Sequence, residues 1–81
     1  PECLERTGQI FGLEFDHFGD FVGFVLETGC EEYRYEGRER AIRALADRAW
    51  SARLSVTVVS EHHEPRCVVR IIVREPPARF V

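Results

Sequence analysis

Hydrophobic and polar residues alternate in three short stretches of the first half of the chain, and turn-forming segments separate these stretches. Such alternation is typical of strands with one buried face. It predicts strands over residues 8–15, 21–28 and 31–36. In the first strand we expect Ile10 on one face, and Phe11, Leu13 and Phe15 on the other. Because the connections are short, an antiparallel meander is the expected arrangement.

The period of the pattern then changes, and residues 38–53 are predicted to form a helix. Its apolar stripe, at steps of 100° per residue, contains Ile42, Leu45, Ala46, Ala49 and Trp50. We therefore expect an amphipathic helix that packs this stripe on the sheet.

Alternation returns after the helix and predicts two further strands, over residues 54–60 and 67–74. In the first of them Leu54, Val56 and Val58 share a face. The inward positions of the second are predicted to be Cys67, Val69, Ile71 and Val73. The polar segment 61–66, which contains Pro65, is the expected turn.

The element order β-β-β-α-β-β resembles that of the OB-fold, a five-stranded, partly open barrel. The fold class expected for this chain is therefore α+β, mostly β: a small five-stranded OB-like barrel with one helix between strands 3 and 4. A small SH3-like or other α+β packing is the alternative. The 81 residues allow one domain, with a core over about residues 8–75 and a tail over residues 76–81.

The charge is distributed unevenly along the chain. The net charge is −3, but residues 1–37 alone carry two arginines against seven glutamates and two aspartates, a net −7. Residues 38–53 carry a net +3. Phosphate binding depends on basic side chains, so this acidic first half disfavours nucleic acid as the ligand of strands 2 and 3.

The resemblance to OB-folds implies a ligand platform on strands 2 and 3, over residues 21–36, flanked by the loops 16–20 and 61–66. The candidate binding residues on these elements and on the last strand are Phe18, Phe21, Phe24, Tyr33, Arg34, Tyr35, His62, His63, Arg66 and Arg70. The rings either stack on bases or form the core. Because Phe21 and Phe24 lie on opposite faces of a regular strand, at most one of them is expected inside.

Metal binding and catalysis find little support in the sequence. His17, His62 and His63 with nearby carboxylates would bind a metal only if the two loops met, and no HxH or HExxH spacing occurs. There is also no GxSxG motif and no glycine-rich phosphate loop. We expect no metal, no cofactor and no enzymatic activity.

The sequence therefore predicts a non-catalytic interaction module that binds another protein. The alternative is single-stranded nucleic-acid binding, through the aromatic platform or through a patch formed by Arg40, Arg43, Arg48, Arg70 and Arg74. Three widely spaced cysteines without a CxxC pair favour reduced thiols and a cytoplasmic location. No apolar run has the length of a membrane span.

Overall fold

The computed structural model describes residues 3–74, which form five strands and one helix. The elements are β1 (Cys3–Phe15), β2 (Phe21–Glu27), β3 (Glu32–Glu36), α1 (Arg40–Ala52), β4 (Ser55–Glu61) and β5 (Val68–Arg74). Every predicted element is present, although β1 begins at Cys3 rather than at residue 8. The predicted tail, residues 76–81, lies outside the described residues.

The strands form one antiparallel sheet in the order β3-β2-β1-β4-β5. Strand β1 is central because its first half pairs with β4, from Cys3 to Gln9, and its second half pairs with β2, from Gln9 to Phe15. The outer strands β3 and β5 approach each other at a single parallel bridge between Glu36 and Cys67. The fold thus consists mostly of strands, with one helix between strands 3 and 4. The sheet is not closed into a barrel by a continuous ladder of hydrogen bonds.

Three β-bulges interrupt the regular alternation of side chains. The pairing registers leave an extra residue at Phe11 on β1, at Val22 on β2 and at Val69 on β5. Each extra residue exchanges the faces on which the following side chains lie. The bulges therefore decide which hydrophobic residues become core.

Because of the bulge at Phe11, the side chains of β1 do not lie on the faces that the sequence predicted. Ile10 pairs with Leu26 and Leu13 pairs with Phe24, and both partners are fully buried on one face of β2. Ile10 and Leu13 therefore share the core side, whereas Phe11 is 59% exposed. The prediction that placed Leu13 opposite Ile10 was wrong because it assumed an unbroken period of two.

The other two bulges overturn two further predictions in the same way. With Val22 as the extra residue, Phe21 and Phe24 are both buried, so the expectation that at most one of them is interior was wrong. With Val69 as the extra residue, Val68 packs against the core. Val69 itself, predicted to point inward, is about half exposed.

The core lies between the sheet and α1. Its buried members are Ile10, Phe21, Phe24, Leu26, Tyr35, Ile42, Ala46, Ala49, Val56, Val58 and Ile71. The helix contributes three of them from the predicted stripe, and Leu45 packs partly buried beside them. Trp50, predicted on the same stripe, is 46% exposed, so it lies at the edge of the contact rather than within it.

The turn between β1 and β2 is held by Asp16. Its carboxylate oxygen Oδ1 accepts hydrogen bonds from the backbone N–H groups of Phe18, at 2.9 Å, and Asp20, at 3.0 Å. Gly19 has a φ of +88°, which glycine adopts without strain. These bonds lower the pKa of the Asp16 carboxyl, because they stabilise its charged form.

Candidate functional site

The inner face of β2 and β3, which packs toward α1, contains aromatic rings that the sequence analysis considered as stacking surfaces for bases. Phe24 is fully buried and Tyr35 is 2% exposed, with their ring centroids 5.4 Å apart. Phe21 is buried beside them and meets Phe15 edge-on at 6.0 Å. Three of the candidate rings are therefore core, and their faces are not accessible to a base.

The outer face of the same strands is acidic. Directly opposed residues lie on one face of a sheet, and the registers align Glu14 with Gly23 and Glu36, and Gln9 with Glu27 and Glu32. Between these rows Val25 lies opposite Arg34. We call this surface the acidic face; its members are Glu14, Glu27, Glu32, Glu36, Val25 and Arg34. The exposed Phe11 adjoins it at the bulge, next to Gly12, which lies opposite Val25.

The carboxylates of the acidic face differ in their partners. Arg34 pairs with Glu14, and the Arg66 guanidinium lies 3.6 Å from the Glu36 carboxylate. Glu27 and Glu32 are directly opposed on neighbouring strands, and within residues 3–74 no basic side chain pairs with either. Opposed like charges destabilise a sheet, so this pair is an electrostatic defect in the free protein.

The negative charge continues beyond the sheet into an open groove of about 920 Å³. The charged residues that line the groove are Glu14, Glu36, Glu39, Glu61, Arg38 and Arg66. Cys67 lies in the same groove, and its Sγ donates a hydrogen bond to Glu64 Oε1 at 3.2 Å. That bond, with burial and nearby carboxylates, raises the pKa of the Cys67 thiol and makes it a poor nucleophile.

A basic surface adjoins this groove at the start of β2, where α1 begins, and the two share Arg38. Arg38, Arg40 and Arg43 line a recess of about 300 Å³ together with Asp20 and Phe21. We call it the arginine recess. The partly exposed ring of Phe15 borders it, since the Arg43 guanidinium carbon lies 5.9 Å from the centroid of that ring.

The arginine patch considered from the sequence is only partly assembled. Arg48, Arg70 and Arg74 do not line the arginine recess. Arg70 is exposed on β5 opposite Val59, and the Nε of Arg74 donates a hydrogen bond to Thr57 Oγ1 at 3.0 Å.

The loop histidines make ring contacts with their neighbours in the sequence. The His62 and His63 rings meet edge-on at 5.5 Å, while His17 lies on the exposed ring of Phe18, with centroids 3.9 Å apart. Within the described part of the chain, no group of three or more histidine, cysteine or acidic side chains gathers in metal-binding geometry.

A second recess, of about 430 Å³, lies between the first half of β1, strand β3 and the β4–β5 turn. We call it the mouth recess; its lining residues are Arg6, Glu32, Tyr33, Arg34, Tyr35, Pro65 and Arg66. The Arg6 guanidinium carbon lies 3.9 Å from the Tyr33 ring centroid. The Tyr33 hydroxyl donates a hydrogen bond to Glu31, which raises the pKa of that phenol.

Sequence reasoning did not select Arg6, Phe11 or the glutamates of the acidic face as site residues; these glutamates are Glu14, Glu27, Glu32 and Glu36. Arg6, Phe11 and Glu14 lie on β1, whose dual pairing brings its two halves to different surfaces. The available signal was the clustering of negative charge in residues 1–37, which identified the acidic half but not its face.

Comparisons with known proteins identify no relative of this chain. No family model matches the chain, and neither a curated protein nor a solved structure matches it. Within residues 3–74, the helix is too short and too polar to cross a membrane.

Proposed function

We propose that this chain is a non-catalytic, OB-like interaction module that uses its acidic face to bind a basic segment of another protein. The parallel bridge between Glu36 at the end of β3 and Cys67 just before β5 supports the OB-like interpretation. It lies where the two edges of a partly open barrel would meet. A cytoplasmic location is part of the proposal and is supported by three cysteines that form no disulfide.

The observation that carries the proposal is the opposed pair Glu27 and Glu32 beside exposed apolar surface. A lysine or arginine of a partner would lie between the two carboxylates and remove their repulsion. Phe11, 59% exposed, and the half-buried Val25 offer apolar contact to the stem of such a side chain or to a neighbouring residue. Charge complementarity of this kind also accelerates and orients the encounter.

The proposal is tested with a short, fluorescently labelled arginine-rich peptide that contains one central leucine. Binding is followed by anisotropy at about 50 and 200 mM salt, because exposed charges are screened over this range. We expect Glu32→Lys to weaken binding about tenfold at low salt and less at high salt. Glu5→Lys is the matched control, since it makes the same charge change on the part of β1 that pairs with β4.

Equal affinities of the Glu32→Lys and Glu5→Lys variants would contradict the proposal, because binding would then follow net charge alone. Absence of binding to the peptide at low salt would contradict it as well.

The arginine recess supports a second candidate function, single-stranded nucleic-acid binding. Three guanidinium groups and the ring of Phe15 come together there, which combines phosphate neutralisation with a stacking surface. If this function is correct, labelled single-stranded DNA or RNA binds with strong salt dependence, and Arg40→Glu abolishes binding. Glu32→Lys would then leave the affinity unchanged or increase it.

A further inference from the structure

Arg6 is an unusual residue on the inner face of the sheet. Its register partner Val58 is a fully buried core residue, so the side chain of Arg6 starts on the core side of β1. Within residues 3–74 no carboxylate pairs with it, and its guanidinium carbon lies 3.9 Å from the centroid of the Tyr33 ring. The charge of Arg6 is therefore not neutralised by an ion pair within the described chain, although the unpaired Glu32 lines the same recess.

The hydroxyl group of Tyr35 is a second unmatched group at the same place. Tyr35 is 2% exposed, lines the mouth recess, and its hydroxyl has no hydrogen-bond partner among the described residues. The hydroxyl lies close enough to Arg6 to raise the pKa of the guanidinium, although the pair does not reach hydrogen-bonding geometry. Buried hydroxyl groups are rarely left without a partner, and such exceptions call for an explanation.

The other two guanidinium groups of the mouth recess are already paired with carboxylates. Arg34 pairs with Glu14 and Arg66 with Glu36, while Glu32, at the rim shared with the acidic face, has no basic partner within residues 3–74. Arg6 is therefore the one lining guanidinium of the described chain that no carboxylate holds. This arrangement matches a single oxyanion group rather than the repeated phosphates of a nucleic acid.

We propose that the mouth recess binds an oxyanion, the phosphate or carboxylate group of a small molecule. Arg6 supplies charge-assisted hydrogen bonds and the Tyr35 hydroxyl donates a further one to the same group. A volume of about 430 Å³ exceeds that of a bare ion and lies within the usual range of small-molecule sites, so the oxyanion is one end of a larger ligand. The recess shares Glu32 and Arg34 with the acidic face, but the proposed anion-binding groups belong to Arg6 and Tyr35, whose register partners Val58 and Phe24 are buried on the inner side of the sheet. The proposal therefore does not depend on peptide binding.

The test uses inorganic phosphate and acetate as probes, with sodium chloride at matched ionic strength as the reference. Binding is followed by NMR signals of the backbone amides and of the arginine side-chain Nε–H groups. The variants are Arg6→Met, which keeps an apolar stem, and Tyr35→Phe, which keeps the ring. Arg70→Met is the matched control, because Arg70 is exposed on β5 outside the mouth recess.

We expect saturable shifts at Arg6 and Tyr35 with at least one of the two oxyanions, and the probe that binds identifies the class of ligand. Affinity should be lost in Arg6→Met, fall about tenfold in Tyr35→Phe and stay unchanged in Arg70→Met. Without ligand, Tyr35→Phe should melt at the same or a higher temperature, since it removes an unmatched buried group. Because Tyr35→Phe binds the oxyanion more weakly, adding the oxyanion should raise its melting temperature less than that of the wild type.

Failure of both oxyanions to bind would overturn the proposal, as would equal affinities in wild type and Tyr35→Phe. The latter result would mean that the Tyr35 hydroxyl does not bind the oxyanion. Because Tyr35→Phe retains the buried ring, it decides the question even if Arg6→Met does not fold.

Discussion

The two faces of β2 and β3 differ in composition and in role. The inner face carries Phe24, Leu26 and Tyr35, which are almost completely excluded from solvent. The outer face carries Glu27, Glu32 and Glu36, which are exposed and only partly neutralised. The aromatic residues of these strands thus stabilise the fold, while the charged residues remain available to a partner. Aromatic content alone is therefore a poor guide to ligand type in a domain of this size.

The largest expected effect comes from removing an inner ring. Phe24→Ala should lower the free energy of unfolding by about 3–5 kcal/mol, because it leaves a cavity beside Tyr35. Phe18→Ala, at a ring that is 78% exposed, should change it by less than about 0.5 kcal/mol. Urea unfolding of both variants measures the difference. Similar losses in the two variants would refute the assignment of the rings to core and surface.

The next largest effect is expected at Gly23, where β2 lies close to β3. A Cβ atom at Gly23 would lie 2.0 Å from the carbonyl oxygen of Tyr35, whereas one at Gly12 would meet nothing within 4 Å. Gly23→Ala should therefore cost about 1–3 kcal/mol, since β2 and β3 must separate. Gly12→Ala should be nearly neutral or slightly stabilising in the same urea experiment. A neutral Gly23→Ala would show that the close approach of these strands is not required.

A smaller effect, of opposite sign, is expected on the outer face. Glu32→Lys replaces the repulsion with Glu27 by an attraction and should raise the free energy of unfolding by about 0.2–1 kcal/mol. The gain should shrink with added salt, because the pair is exposed. A variant that is more stable yet binds the basic peptide more weakly would separate the function of this face from the stability of the fold. Loss of stability in Glu32→Lys at low salt would contradict the repulsion between Glu27 and Glu32.

The smallest effect is a pH dependence at the β1–β2 turn, away from both faces. The pKa of Asp16 is lowered in the folded state, so its stabilising contribution is complete above the unfolded value of about 3.9. That contribution is lost as the pH falls through the lower, folded value. Asp16→Asn should therefore show a weaker loss of thermal stability over this acidic range than the wild type. Identical acid dependence in the two proteins would exclude a role of Asp16 in this titration.

Element type and order could be predicted from the sequence because hydrophobic periodicity reports them directly. The faces of the strands could not, because a bulge at Phe11, Val22 or Val69 depends on the register of the neighbouring strand. One extra residue was enough to move Leu13 into the core and Val69 out of it. A local pattern contains no information about that register.

The same limit applies to the candidate sites. The negative charge of residues 1–37 was visible in the sequence, but its assembly on one face requires the pairing of β1, β2 and β3. Arg6 was invisible as a site residue because its partners Tyr33 and Tyr35 are about thirty positions away.

The most direct test of the central claim is a map of where a basic peptide binds. Titrating the isotopically labelled protein with the arginine-rich peptide should shift the backbone amide signals of Val25, Glu27, Glu32 and Arg34. Signals of Arg40 and Arg43 should stay in place. Shifts confined to the arginine recess, or spread evenly over all exposed carboxylates, would contradict the assignment of partner binding to the acidic face.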